Sequence, residues 1–262
     1  MPTDPPFLQR HHFLFRRLHS LTGIVPIGVF LLVHLLTNSS VVWGSFALRH
    51  PGPEDLGGVA YFNEEVAWLN SQIPHLLLVE ITLWASIAFH SILGVVYALT
   101  GSNNVARYRF AANKRYALQR LSGYVGILFI FYHVATLRWG WTFLVPGGTR
   151  WEYQFSASTL ALALRGGQGW TAAGFLVSAF YMLGVSLLIF HFANGLWSAA
   201  ITWGLTVSAT AQKRWGQVCT VLGIAMLAMG WAAVIGFATL NPEKARQAEE
   251  HRAPAPVVEV TK

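Results

Sequence analysis

The stretch "LLIFHFANGLW", residues 187–197, places a histidine inside an apolar run that contains no charged residue. The run extends over residues 171–203, which exceeds the roughly 20 residues that cross the hydrocarbon core of a membrane. An imidazole at membrane depth is costly, and it usually faces a partner inside a helix bundle. The stretch therefore predicts a transmembrane helix in which His191 has a polar task.

The whole chain has the composition of a polytopic membrane protein. Of its 262 residues, 54% are hydrophobic and only 11% are charged, whereas a soluble domain carries about a quarter charged residues. Four more apolar runs, at 20–43, 74–100, 119–140 and 215–239, are long enough to span a membrane. We predict an all-α integral membrane protein with five transmembrane helices.

The net charge of +7 is explained by membrane topology and not by nucleic-acid binding. Arg16 and Arg17 precede the first apolar run, residues 107–120 carry five Lys and Arg, and Lys213 and Arg214 precede the fifth run. The first and third connections carry few basic residues. Because basic residues stay on the cytoplasmic side, we predict a cytoplasmic N-terminus and an external C-terminus.

Three regions follow from these patterns. Residues 1–19 form a cytoplasmic N-terminal segment, residues 20–240 form the membrane domain, and residues 241–262 form a polar tail that we expect to be disordered. A single cysteine, Cys219, excludes an internal disulfide and a four-cysteine cluster. Neither a dinucleotide-binding glycine motif nor a phosphate-binding loop occurs.

Histidine placement is the main functional signal. Each of the first four apolar runs contains one deep histidine, in order His34, His90, His133 and His191, and the fifth run contains none. Any one of them alone could make an interhelical hydrogen bond. Four of them, one per helix, point to haem iron, because a pair of imidazoles from two helices can hold a six-coordinate iron in a bundle core.

A second class of function uses the same residues. Intramembrane histidines together with Glu80, the one deep carboxylate, could form a proton or ion relay in a transporter. The sequence has neither an inverted repeat nor paired broken helices, which transporters often contain. Visible spectroscopy distinguishes the two hypotheses, because a relay protein is colourless.

Depth in the membrane predicts how the histidines pair. At about 1.5 Å per residue, His34 and His133 lie about 20 Å from the cytoplasmic edge. His90 lies about 24 Å from the outer edge, which is close to the inner edge of a core about 30 Å thick. His191 is nominally deeper still, but the fourth run is over-long and we expect it to start outside the core, which gives His191 a similar level. We therefore predict an outer pair, His34 with His133, and an inner pair, His90 with His191.

Several long motifs resemble a known family. They are "FRRLHSLTGIVPIGVFLLVHLLTN" (15–38), "FNEEVAWLNS" (62–71), "FHSILGVVYAL" (89–99), "LQRLSG" (118–123), "YHVATLRW" (132–139) and "IFHFANGLWSAAITWGLTV" (189–207). Together they resemble the cytochrome b558 membrane subunits of succinate dehydrogenase and fumarate reductase, of the five-helix, two-haem type. The resemblance covers roughly residues 10–240.

The resemblance implies a division of labour within a larger complex. A flavoprotein subunit with FAD would oxidise succinate, and an iron–sulfur subunit would relay electrons. This chain would anchor both in a prokaryotic cytoplasmic membrane. Its first four helices would enclose two stacked b haems. Electrons would pass from the His90/His191 haem to the His34/His133 haem and then to quinone, for which we expect menaquinone rather than ubiquinone.

The resemblance leaves the direction of the reaction open between succinate oxidation and fumarate reduction. Some relatives that oxidise menaquinol have a glutamate two residues before the histidine of the fourth helix. Here that position is Ile189, which favours succinate oxidation.

Five residues near the cytoplasmic edge are candidates for binding the inner haem propionates or a quinone, since both need hydrogen-bond donors. They are Arg17, His19, Ser20, Tyr116 and Arg120. For the arginines, anchoring on the cytoplasmic side is an equal alternative.

Small residues near the histidines have two explanations. Gly23, Gly28, Gly94, Gly123 and Gly195 either leave room for haem or allow close helix packing. Asn194, one turn beyond His191, could bond a backbone carbonyl.

On the outer side, four residues are candidates for a quinone site: Glu64, Glu65, His75 and Glu80. Some family members use an acid at the outer start of the second helix, which Glu64 or Glu65 matches approximately.

Overall fold

A computed structural model of the chain describes residues 7–47, 56, 58–72, 75–101, 105–108 and 110–252. In this part of the chain the backbone forms α-helices and short 3-10 turns, with no strand. The α-helices are α1 (Phe7–Arg10), α2 (His12–Ile24), α3 (Pro26–Trp43), α4 (Val59–Ser71), α5 (His75–Thr100), α6 (Ala111–Leu137), α7 (Ser156–Arg165), α8 (Ala172–Thr202), α9 (Ala209–Thr239) and α10 (Pro242–Arg252).

Within the described residues, five helical spans are long and apolar enough to cross a membrane, which confirms the predicted all-α architecture. They are His12–Phe46, His75–Thr100, Asn113–Leu137, Ala172–Thr202 and Ala209–Thr239. Large apolar side chains point outward from them, as lipid contact requires: Leu128 is 65% exposed and Val221 is 68% exposed.

The first span is interrupted between α2 and α3. Pro26 begins α3, and a proline has no backbone N–H to continue the hydrogen-bond ladder of the preceding helix. The helix resumes at once, since the N–H of Val29 donates to the carbonyl of Val25. The break therefore separates two segments of one membrane crossing.

The chain divides into two compact units. The first comprises Met1–Leu35, Ile73–Phe131 and Tyr181–Trp231, and the second comprises Leu36–Gln72, Tyr132–Phe180 and Ala232–Lys262.

The core of the first unit is formed by α3, α8 and α9. Leu35, Ile189 and Met226 are buried against one another, and further aliphatic side chains and Phe192 surround them. A Cβ atom at Gly230 would lie 2.5 Å from Cγ1 of Val185, so the absence of a side chain lets α9 approach α8 closely.

The second unit contains three helices that the sequence patterns did not predict: α4, α7 and α10. In α4, Val59, Phe62 and Val66 are buried, and the ring of Phe62 meets that of Phe237 edge to face at 5.0 Å. Most residues of α7 are buried as well.

The end of the chain differs from the expected disordered tail. Residues Pro242–Arg252 form α10, which packs on α4 and α7 with Ala245, Ala248 and Glu249 buried. That spacing puts all three on one helix face. Of the predicted terminal segments, residues 1–6 and 253–262 lie outside the described residues.

Candidate functional site

The rings of His90 and His191 meet in the first unit. His90 lies on α5 and His191 on α8, and their ring centroids are 6.0 Å apart with an angle of 79° between the ring planes. The structure therefore brings together the two histidines that the depth argument assigned to one level.

Each of the two imidazole rings is held by a hydrogen bond at its own Nδ1. Nδ1 of His90 lies 2.9 Å from the carbonyl oxygen of His19, and Nδ1 of His191 lies 3.0 Å from that of Gln119. A carbonyl only accepts, so each Nδ1 carries the hydrogen and the lone pair of each ring is on Nε2. This arrangement is typical of histidines that ligate a metal through Nε2.

The two rings are close enough to belong to one site, and Nε2 of each would be available to hold the iron of a haem. Among the described residues, no group of three or more His, Cys, Asp or Glu side chains could hold a bare metal ion. A haem iron needs only two such ligands, because the porphyrin supplies the other four.

Two glycines leave room for these rings. A Cβ atom at Gly23 would lie 2.5 Å from Cε1 of His90, and one at Gly123 would lie 3.1 Å from Cε1 of His191. The first distance is shorter than any van der Waals contact. Gly23 is therefore required for the observed position of the His90 ring.

The other glycines of the prediction have different surroundings. Gly28 packs against the ring of Phe192, and a Cβ atom at Gly94 would make an ordinary contact of 3.4 Å with His19. A Cβ atom at Gly195 would meet only a side-chain nitrogen, at 3.7 Å. Close packing against a neighbouring side chain is therefore seen at Gly28, and not at Gly94 or Gly195.

His19 lies directly on the ring of His90. The two rings stack with centroids 3.9 Å apart and planes inclined by 10°, and Tyr97 meets His19 edge to face at 5.7 Å. Nδ1 of His19 and Oη of Tyr97 are buried and have no hydrogen-bond partner. Arg16 lies over the Tyr97 ring, 5.4 Å from its centroid. These polar atoms can receive a ligand that accepts hydrogen bonds.

Arg17 and Ser20 form a second small cluster in the first unit. The indole of Trp203 donates to Oγ of Ser20 at 2.9 Å, and the Arg17 guanidinium lies 5.7 Å from the centroid of the Trp203 ring. The hydroxyl of Ser20 donates to the carbonyl of Arg17. Trp203 thus links α2 to the end of α8.

Tyr116 and Arg120 are both on α6, and their side chains lie together near Gly101, which follows the end of α5. A Cβ atom at Gly101 would be 2.8 Å from Oη of Tyr116 and 3.8 Å from Nη1 of Arg120. The guanidinium of Arg120 also lies over the Tyr116 ring, at 5.5 Å. All five predicted edge residues are therefore in the first unit, with the His90/His191 pair.

His34 and His133 belong to different units. His34, on α3 in the first unit, stacks on Phe30 with ring centroids 5.3 Å apart. His133, on α6 in the second unit, has a backbone carbonyl that accepts from the hydroxyl of Thr136 at 3.3 Å.

Of the quinone candidates, Glu65 has the most polar surroundings. On α4 in the second unit, it hydrogen-bonds with the hydroxyl groups of Thr37, Ser40 and Tyr61, and its Oε2 is buried without a partner. Burial raises the pKa of Glu65 above the usual glutamate value. The Glu65 carboxylate in turn raises the pKa of Tyr61.

The other three candidates lie on two helices. Glu64 is exposed on α4 in the second unit. His75 is exposed at the start of α5, and Glu80 lies between one and two turns further on; both belong to the first unit.

Sequence patterns did not reveal the residues that hold His191. The backbone carbonyl of Gln119 accepts a hydrogen bond from the His191 ring. Asn194 bonds to the side chains of Gln119 and Arg115 and not, as the sequence had suggested, to a backbone carbonyl. Polar residues at 115, 119 and 122 have the spacing of one helix face. That polar stripe, which leads from the basic stretch into the third apolar run, was the available signal.

Comparison with characterised proteins identifies the family of the chain. The chain is 32% identical over 226 residues to the succinate dehydrogenase cytochrome b558 subunit of Bacillus subtilis (strain 168), a match that covers 86% of this chain and 96% of that protein. No family model and no solved structure matches the chain. From this similarity and its five apolar helices, the chain belongs to the family of succinate dehydrogenase cytochrome b558 subunits, which are membrane proteins.

Proposed function

We propose that the chain is the di-haem cytochrome b anchor of a succinate:quinone oxidoreductase and passes electrons from an iron–sulfur subunit to quinone. The observation that carries the proposal is the pair of His90 and His191, with rings 6.0 Å apart and both Nδ1 atoms bonded to carbonyls. A b haem, when bound, supplies one-electron transfer. Nε2 of His90 and of His191 would hold the haem, and Gly23 and Gly123 leave room for the two rings.

His34 and His133 are the proposed ligands of the second haem. Support comes from the sequence: each is the one deep histidine of its apolar run, and both lie at about 20 Å from the cytoplasmic edge by helix rise. Two haems at different depths would give a route for electrons across the membrane.

The first unit also contains the proposed partners of the inner haem propionates. Propionates are anionic and accept hydrogen bonds, so arginine, tyrosine and serine are suitable donors. Arg17, Ser20, Tyr116 and Arg120 are the proposed set, and His19 adds a buried Nδ1 that lacks a partner. The same donors could bind a quinone carbonyl.

The topology and the partners complete the proposal. Clusters of Lys and Arg support a prokaryotic cytoplasmic membrane with a cytoplasmic N-terminus and an external C-terminus. The flavoprotein and iron–sulfur subunits would then bind on the cytoplasmic side. Ile189 supports succinate oxidation as the physiological direction.

Glu65 is the proposed proton donor of an outer quinone site. Reduction of a quinone to quinol consumes two protons, and a carboxyl with a raised pKa holds a proton at a higher pH than an exposed glutamate does. The hydroxyl groups of Thr37, Ser40 and Tyr61 would orient the carboxyl. The quinone would be menaquinone rather than ubiquinone.

The experiment uses the chain purified together with its flavoprotein and iron–sulfur partners. Succinate, added without oxygen, should produce the absorption bands of a reduced b haem. A preparation that lacks the absorption bands of a b haem would instead support a proton or ion relay, and haem bands that do not respond to succinate would contradict the proposed electron path.

Glu65→Gln tests the quinone half in the same preparation. Succinate should still reduce the haem, while reduction of a menaquinone analogue slows roughly 100-fold, the size of a typical general-acid contribution.

The pH dependence of quinone reduction gives a second prediction. The wild-type carboxyl of Glu65 loses its proton as pH rises through its raised pKa, so the wild-type rate should fall in that range. Glu65→Gln should lack this fall. Glu243→Gln, an exposed acid on α10, is the control. An unchanged rate in Glu65→Gln would exclude Glu65 as the donor.

A further inference from the structure

An unbroken series of hydrogen bonds joins a cation to His191. Nε and Nη2 of Arg115 donate to Oδ1 of Asn194 at 3.1 and 2.6 Å, and Nδ2 of Asn194 donates to Oε1 of Gln119 at 2.8 Å. Nε2 of Gln119 donates to the carbonyl of His191 at 3.1 Å, and the ring of His191 donates back to the carbonyl of Gln119. All four residues lie in the first unit.

Gln119 holds His191 at two points. Its carbonyl fixes Nδ1 of the ring, and its side-chain amide fixes the backbone of the same residue. The hydroxyl of Ser122 also donates to the backbone carbonyl of Gln119, at 3.0 Å. Rotation of the imidazole would break at least one of these bonds, so Gln119 determines the direction of Nε2.

Asn194 makes the connection between Gln119 and the cation. It is only 8% exposed, and both ends of its amide are used: the oxygen accepts from Arg115, and the nitrogen donates to Gln119. A buried amide that is fully hydrogen-bonded has one preferred orientation. Asn194 therefore transmits the position of Arg115 to Gln119.

The guanidinium of Arg115 is fixed although the residue is at the surface. It lies 4.2 Å from the centroid of the Trp197 ring, and the indole of Trp197 donates to the carbonyl of Gln212 on α9 at 3.0 Å. Arg115 precedes Gln119 by four residues, or about 6 Å along α6. A fixed positive charge thus lies about one turn from the group that holds His191.

We propose that Arg115, Asn194 and Gln119 are positioning residues that orient His191 and raise the reduction potential of the haem it ligates. A nearby cation stabilises the reduced state, which carries one more electron. The orientation of a ligating imidazole and the hydrogen bond that its other ring nitrogen donates also tune a bound metal. This inference rests on the proposed haem function.

Redox titration of the purified complex, followed by visible absorption, tests the inference. Arg115→Gln should lower the midpoint potential of one b haem, with about a tenfold change in its reduction equilibrium, or about 59 mV for a one-electron couple. The other haem should not change. Arg115→Lys retains the charge and should recover most of the shift.

Lys114→Gln is the matched control. It removes the same charge at the neighbouring residue of α6, which is exposed, and we expect less than about a twofold change in the equilibrium because exposed charges are screened. Equal shifts in Lys114→Gln and Arg115→Gln would overturn the specific role of Arg115, as would the absence of any shift in Arg115→Gln.

Asn194→Leu and Asn194→Asp separate positioning from packing. Asn194→Leu should shift the same haem and alter its low-spin electron paramagnetic resonance signal. Asn194→Asp keeps the shape of the side chain, and its carboxylate offsets the positive charge of Arg115. The midpoint potential of the same haem should therefore fall as it does in Arg115→Gln. Unchanged midpoints in both variants would refute the network. A wild-type complex without haem would refute the proposed function instead.

Discussion

His90 and His191 owe their orientation to backbone carbonyls of neighbouring helices. Each Nδ1 bonds to a carbonyl oxygen, of His19 or of Gln119. The histidines were predictable from sequence because an imidazole is conspicuous in an apolar run. Their acceptors were not, because a backbone carbonyl has no residue signature and its direction depends on how the two helices are rotated.

Gly23→Ala tests the fit of the His90 ring. A Cβ atom there would lie 2.5 Å from Cε1 of His90, so the ring must move and the geometry for ligation is lost. We expect the purified variant to lose one b haem and keep the other, as measured by a pyridine haemochrome assay.

Gly230→Ala is a control of equal crowding. Its Cβ would also lie 2.5 Å from a side-chain atom, but the neighbour is Val185. This variant should lose stability through overpacking, by about 1–3 kcal/mol, and retain both haems. Retention of both haems in Gly23→Ala would contradict the ring position.

At the scale of elements, hydropathy predicted the membrane helices and missed the short ones. Residues 241–252 are polar, which is typical of a disordered tail. The missed signal was local: Oδ1 of Asn241 accepts from the N–H of Lys244, and Pro242 occupies the first helical position. Asparagine followed by proline is a common helix start.

Tertiary contacts decide that α10 is ordered. Glu249 is only 3% exposed. Its Oε1 accepts from the N–H of Ala157 at 2.8 Å and from the amide of Asn63 at 3.2 Å. A carboxylate at the start of α7 satisfies N–H groups that have no partner within that helix. A single sequence cannot reveal a cap provided from residues so distant in the chain.

Glu249→Ala should destabilise the second unit. The N–H of Ala157 and the amide of Asn63 would be buried without an acceptor, which costs about 1–3 kcal/mol per group. Thermal unfolding in detergent, together with protease digestion of α10, measures the loss.

Glu250→Ala provides the comparison on the same helix. Its carboxylate pairs with Arg246 at the surface, at 3.0 Å, and removal of such a pair changes stability by less than about 1 kcal/mol. Equal unfolding temperatures for Glu249→Ala and Glu250→Ala would show that the buried carboxylate does not secure α10.

At the scale of the whole molecule, composition predicted five membrane helices, and the described residues contain five such spans. Helix rise, together with the expectation that the over-long fourth run starts outside the core, assigned His90 and His191 to one level, and their rings meet in the first unit. The short helices of the second unit could not be predicted from hydropathy, since α4, α7 and α10 are too short to resemble membrane spans.

Haem content of the purified chain and of its histidine variants tests the central claim most directly. A pyridine haemochrome assay should give two b haems per polypeptide. His90→Leu and His191→Leu should each retain one, with the same spectrum, while His12→Leu, which alters an exposed histidine, should retain both. A content of zero or one haem in the intact protein would contradict the account.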